Sequence, residues 1–143
     1  MADGFYYRSG PVIVRRYPIA SGTVIEVGDL VKDSSGKLAL MATSTDNLSF
    51  VGVAAEAHAA GDASGSIGVY LPIPGAIFEY DLNAATDVVI GDELQYNAAK
   101  KLKVSSTDPI AVAIESKLTA ANVLVTFKLT QSANGLDFAG DLT

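Results

Sequence analysis

The sequence predicts an all-β fold, a compact sandwich or barrel built from two diverged internal repeats. Three observations carry this: short β-branched runs ended by Gly, Asp, Asn or Pro, turn chemistry recurring between them, and one motif that occurs twice. With 143 residues, 49% of them hydrophobic, the chain is long enough to bury a core and has the size of one domain.

Taken in order, residues 1–11 mix Gly, Ser and the adjacent aromatics Phe5, Tyr6 and Tyr7 without periodicity and read as an extended N-terminal arm. From Val12 the β-branched runs begin: "VIVRRYPI", "GTVIEVGD", "LVKDSSGKLALM", "FVGVAAEA", "SIGVYLPI", "AIFEYDL", "DVVIGDELQYN", "KLKVSS", "PIAVAIES" and "NVLVTFKL". Within the third run, "KDSSGK" places Asp, Ser and Gly where a hairpin needs positive φ or an Asx-type hydrogen bond, and "YNAAKK" takes the equivalent place later. Residues 53–61, "VAAEAHAAG", favour a helix by intrinsic propensity, but two turns would be marginal alone.

The repeat decides that stretch. "VIEVGDLVKDSSGKLAL" (24–40) is answered by "VVIGDELQYNAAKKLKV" (88–104). Gly28-Asp29 matches Gly91-Asp92, and after one extra residue, placed at Glu93, the residues Leu30, Lys37, Leu38 and Leu40 match Leu94, Lys101, Leu102 and Val104. "GVAAE" at Gly52 matches "AVAIE" at Ala111, so both are read as strands; "IGVYL" at Ile67 matches "VLVTF" at Val123, and "VIVRRYP" at Val12 matches "AIFEYDL" at Ala76. The predicted organisation is one β-domain over 12–130, with halves at about 13–75 and 76–130 sharing one core. A polar tail over 131–143 carries Leu136, Phe138 and Leu142.

Composition narrows the function classes. There is no cysteine, which removes disulfides, thiolate metal sites and cysteine nucleophiles. A net charge of -6 opposes nucleic-acid binding, which needs clustered cations. No apolar run approaches the roughly 18–20 residues of a membrane span, and the N-terminus lacks signal-peptide character, so a soluble protein is expected. The charge is uneven: Arg8, Arg15 and Arg16 stand beside one acid, Asp3, in the first 17 residues, while the rest carries seven lysines against fifteen acids.

Candidate chemistry is sparse, and no catalytic, cofactor or metal site is assigned; the protein is not expected to be an enzyme. The single histidine, His58, would have to anchor any hydrolytic triad or zinc site, and it reads instead as a solvated or hydrogen-bonded strand residue whose replacement by Ala changes little. "GDASGSIG" (61–68) lacks the Lys-Ser/Thr and the helix start of a phosphate loop and reads as a hairpin tip. Gly28, Asp29, Gly91 and Asp92 read as structural turns, with Gly taking a conformation other residues avoid and Asp bonding nearby N–H groups. Arg15-Arg16-Tyr17 reads either as a charged strand edge or as a docking site for an acidic partner.

The ordered series "GTVIEVGDLVK", "FVGVAAEAHAAGDASGSIGVYL", "VVIGDELQYN", "PIAVAIES" and "VLVTFKL" resembles the capsid cement, or decoration, proteins of tailed bacteriophages, over about residues 18–130. In particular it resembles the small family with paired Val-x-x-Gly-Asp hairpins and a Gly-Val-Ala strand. The resemblance implies a β-tulip-like fold that binds the outside of an expanded capsid and clamps neighbouring copies of the major capsid protein. It implies a homotrimer, made in the host cytoplasm and resident on the outer surface of the virion. Phe5, Tyr6, Tyr7, Arg8, Arg15, Arg16 and Tyr17 are then the expected capsid or subunit contacts, being aromatic and Arg residues of the kind enriched at interface hot spots. Deleting residues 1–8 is expected to abolish capsid binding and leave the β-domain folded. Two other readings compete: a biotinyl- or lipoyl-type carrier domain, with Lys37 or Lys101 as the modified residue, and a sugar-binding sandwich stacking on Tyr70, Tyr80 and Tyr96.

Overall fold

A computed structural model describes residues 6–73, 75–98 and 100–128, the side chains of Tyr6 and Leu48 excepted. Phe5 and the expected tail over 131–143 lie outside the described residues. The strands are β1 (Tyr6–Ser9), β2 (Val14–Pro18), β3 (Leu30–Ser34), β4 (Lys37–Leu40), β5 (Phe50–Ala54), β6 (Ser66–Tyr70), β7 (Ile77–Val88), β8 (Glu93–Ala98), β9 (Lys101–Val104), β10 (Ala111–Ala113) and β11 (Lys117–Phe127). A short 3-10 segment, Ser44–Ser49, precedes β5. The all-β expectation is met, and no helix among the described residues is long and apolar enough to cross a membrane.

Turn chemistry sets the local order. Ser34 pairs with Lys37 across the two-residue tip Ser35-Gly36, whose φ values of 54° and 87° suit the right-handed twist of the flanking strands. The Asp33 carboxylate accepts the Gly36 N–H at 2.7 Å. From such hairpins two sheets grow. The first runs β7-β11-β10-β8-β9 and closes into a five-stranded barrel because β9 returns parallel to β7, with Leu82 opposite Leu102. The second runs β2-β6-β5-β3-β4, and a single parallel bridge, Ile19 to Leu38, sits at the corresponding place. The pairing order is the same in both.

The two Gly-Asp turns are built alike down to individual bonds. Gly28 and Gly91 hold φ of 93° and 96°, a region that L side chains rarely enter. Their N–H groups donate to the carbonyls of Ala54 and Ala113, each at 2.9 Å. Asp29 and Asp92 accept the N–H of the residue three places earlier, Glu26 at 2.8 Å and Val89 at 2.9 Å. Pairing also corrects the sequence alignment. Leu94 lies opposite Ala111 as Val31 lies opposite Gly52, so Glu93 takes the place of Leu30 and is no insertion. The extra residue is absorbed at the irregularity between Tyr96 and Ala98. Likewise the equivalent bridges align Tyr17 with Tyr80, one residue off the alignment expected from sequence.

Where the halves differ, packing explains why. Buried apolar residues form two clusters, and the larger, inside the closed barrel, also takes in Leu30, Met41, Phe50 and Val53 from the second sheet. Leu30 is therefore apolar because it faces the barrel, while its counterpart Glu93 faces outward and pairs with Lys128 at 2.8 Å. β5 is buried along its whole length, Phe50 and Val53 packing in one cluster and Val51 and Ala54 in the other. A strand covered on both faces shows no apolar–polar alternation, and of the Ala-rich stretch 53–61 only Val53 and Ala54 belong to it. Polar contacts tie the halves as well: the Tyr80 hydroxyl donates to the Gly28 carbonyl at 2.6 Å, and Lys100 meets Asp29 at 3.2 Å and Glu26 at 2.5 Å. Burial pushes the Tyr80 hydroxyl well above its ordinary pKa, so it remains a donor.

Four segments depart from the sequence reading. "GTVIEVGD" forms a turn with one bridge, Ile25 to His58, in place of a strand. β7 and β11 run on through "NAAT" and "KLTAA", where they pair only with each other as a ribbon and need no apolar signal. Finally, part of the expected arm is a strand: β1 pairs with the start of β7, on the edge that β9 uses further along.

Candidate docking surface

The N-terminal head folds back onto its own barrel. In β1 the Tyr6 backbone lies opposite Glu79 and Tyr7 opposite Phe78. The Tyr7 ring stacks on Tyr70 with centroids 6.0 Å apart and meets Phe78 edge-on at 5.8 Å. Its hydroxyl donates to the Gly10 carbonyl. Arg8 donates to a single Glu79 oxygen from both Nε and Nη2, the former at 3.0 Å. Of the expected aromatics, Tyr7 thus already has partners within the chain, since β1 lies on the β7 edge and its tyrosine covers two rings. Deleting residues 1–8 would bare that edge and those rings, so it is no clean test of binding.

Gly10 fastens this strand. With φ of 92°, it lies so close to Gly75 that an added Cβ would stand 1.7 Å from the Gly75 carbonyl oxygen. Replacing Gly10 by Ala is expected to lift β1 from β7. A left-handed conformation costs an L residue about 1–2 kcal/mol, so tryptic cleavage after Arg8 should quicken roughly tenfold. Unchanged cleavage would show that the Gly10 contact does not hold the strand.

Strand alternation divides the Arg15-Arg16-Tyr17 group. Arg16 shares its face of β2 with Val14, while Arg15 shares the other face with Tyr17. Tyr17 is 2% exposed and belongs to the smaller core, so it is corrected here from a surface contact to a core residue. Arg16 lies along β6, its Nη1 2.7 Å from Glu56, its Nε 3.1 Å from the Ser66 hydroxyl and its Nη2 2.9 Å from the Ser66 carbonyl. That guanidinium holds the Glu56 carboxyl below its usual pKa. Arg15 is exposed on the other face.

Sequence reasoning missed the apolar part of this surface. Val12, Ile13 and Val14 are exposed, the last two by 50% and 51%. Val14 lies opposite Tyr70, on which Tyr7 stacks, so the apolar residues and the tyrosine join. The signal was present as "PVIV", three apolar residues without a polar break directly after the expected arm. A second exposed apolar group, Val89, Ile90 and Leu118, lies where the β7–β11 ribbon ends, with Leu118 83% exposed. Since β7 rises about 3.3 Å per residue, its 12 residues put this group roughly 36 Å from β1.

Other candidates resolve plainly. Tyr80 and Tyr96 are buried, and Tyr70 is half-buried under Tyr7, so they present no open sugar-stacking platform. Among the described residues no group of three or more His, Asp or Glu could hold a metal ion. His58 is buried and bonded at both ring nitrogens to carbonyl oxygens, those of Thr23 and Ser64. Its replacement by Ala would strand both, so the expectation of little change is corrected.

No protein-family model and no curated protein matches the sequence. Among solved structures, the chain is similar to the crystal structure of the N base of the head fiber gp8.5 of bacteriophage phi29. Identity is 16% and the TM-score 0.53, with 81% of this chain and 95% of that chain covered. At this identity the likeness is one of fold.

Proposed function

We propose that this chain is a structural protein of a bacteriophage head, bound to the outside of the capsid and stabilising contacts between copies of the major capsid protein. The observation that carries the reading is the fold shared with a phage head fiber base along most of both chains. The exposed surface of Val12, Ile13, Val14 and Tyr7, with Arg16 on the Val14 face of β2, supports it with the residue types of an interface core and rim. The apolar group at the far end of the ribbon supplies a second contact, which a protein bridging two subunits requires.

The role needs neither a catalytic centre nor a cofactor. A protein that binds the assembled shell and not its dissociated parts stabilises the shell by mass action. It would act as a homotrimer, on the outer surface of the virion after synthesis in the host cytoplasm, with neither nucleic acid nor membrane as partner. Specific interfaces bury on the order of 800 Å² per partner, and repetition over a lattice multiplies the effect.

The test is to mix purified protein with expanded capsids lacking it, sediment, and image the pellet. Saturable, symmetric occupancy is expected, and absence of co-sedimentation rejects the reading. Val14→Asp, which places a carboxylate on an exposed apolar position, should weaken occupancy about tenfold or more, the scale of an interface hot spot. The circular-dichroism spectrum should stay unchanged. Full-strength binding by this variant would remove the β2 surface from the interface, and light scattering checks the trimer.

A further inference from the structure

The loop after β5 is tied to the chain before β3 by one side chain. His58 is 1% exposed. Its Nδ1 lies 2.6 Å from the Thr23 carbonyl oxygen and its Nε2 2.9 Å from that of Ser64. A carbonyl oxygen only accepts, so each contact requires an N–H on the ring. A neutral imidazole has one and the imidazolium has two. The neutral ring would therefore set a lone pair against one of these carbonyl oxygens, losing one of the two part-buried bonds and leaving a buried ring nitrogen without its partner.

We propose that His58 is a proton-operated latch: its imidazolium ties the turn at Thr23 to residues 59–65, and loss of the proton releases that loop. The latched region is continuous. Ile25 and His58 exchange backbone N–H···O bonds of 2.8 Å, and the Ile19 N–H donates to the Gly65 carbonyl at 3.0 Å. The Ser64 hydroxyl donates at 2.7 Å to the Ser66 carbonyl, which also receives Arg16. The latch thus reaches the segment that orients Arg16 on the candidate docking surface, although it stands whether or not that surface binds a capsid.

Charged groups around the ring agree with a cation. On its own loop Asp62, whose carboxylate accepts the Ala59 N–H at 2.8 Å, favours the charged form. On the chain before β3 the titratable groups are Glu26 and Asp29, both paired with Lys100, at 2.5 and 3.2 Å. On the β2–β6 side Arg16 is paired with Glu56 at 2.7 Å. The Thr23 and then the Ser64 carbonyl raise the ring's pKa above its ordinary value, burial opposing them. With the folded pKa raised, the latch is complete below the free-ring value of about 6.5 and is lost as pH rises through the folded value.

Because the chain has one histidine, its ring signals are assigned without ambiguity. Nitrogen NMR on the full chain should show both ring nitrogens protonated, with a titration midpoint above 6.5. Amide exchange at Ile19, Ile25 and His58, corrected for intrinsic rate, should report loop opening that rises about tenfold per pH unit between the two pKa values. The same measurement on His58→Gln, a side chain that does not titrate, should be flat with pH. A ring that titrates at or below its ordinary value, a single ring N–H at pH 6, or opening independent of pH in the native chain overturns the latch. If His58→Gln does not fold, the native ring titration decides alone.

Discussion

Replacing Phe127 by Ala is expected to cost about 3–5 kcal/mol, the range of a large aromatic removed from a well-packed core. Its ring meets Phe78 at 5.6 Å and Tyr80 at 5.4 Å, both from the closed barrel, and Phe50 at 5.5 Å, from the second sheet. Phe127 therefore joins the two sheets, and the cavity left would be lined by residues of both, which limits collapse. Native stabilities of 5–15 kcal/mol make this a large fraction, and the melting temperature should fall by roughly 10 °C or more. Calorimetry would check it. A loss under about 1 kcal/mol would mean that the second sheet closes over the gap unaided.

The second large effect separates the two Gly-Asp turns, which sequence treats as equals. Asp29→Ala should cost about 3 kcal/mol, and Asp92→Ala about 1 kcal/mol. Both variants lose the same local bond to a backbone N–H, from Glu26 or Val89. Only Asp29 is buried, at 4% exposure, and only it faces Lys100, itself largely buried, at 3.2 Å. Its removal takes away the buried acidic partner of the ammonium, while the pair with the exposed Glu26 carboxylate stays. Urea midpoints of the two variants measure the difference directly. Equal losses would show that the Lys100 pair between the halves contributes nothing net, as some buried pairs do.

The docking surface was half legible. Arg8, Arg15 and Arg16 are exposed and Tyr7 is partly so, since an aromatic and cationic run next to the first strand stays near the surface whatever the fold, but alternation sends Arg15 and Arg16 to opposite faces of β2. Tyr17 was misplaced because strand alternation turns it inward and Arg16 outward, a choice the sequence "RRY" leaves open. The run "VIVRRYPI" marks Val12, Ile13 and Val14 as strand residues and leaves their exposure open. Their exposure follows from β2 standing at an edge, bridged to β4 at Ile19 and beyond the reach of a second covering strand.

By itself the sequence determined the all-β class, the hairpin turn within "KDSSGK", the turn glycines at 28 and 91, and the match of "GVAAE" with "AVAIE" as equivalent strands. Those features depend on φ limits, side-chain hydrogen bonds and spacing, which act over a few residues. Tertiary structure alone decided that β9 returns to β7 and closes the barrel, that β1 lies on its own β7, and that Leu30 and Asp29 are buried where Glu93 and Asp92 are not. In each case the deciding contact comes from a residue distant in the chain. Two copies of one local motif take different environments because one half rests its outer face against the other, and only the packed molecule says which.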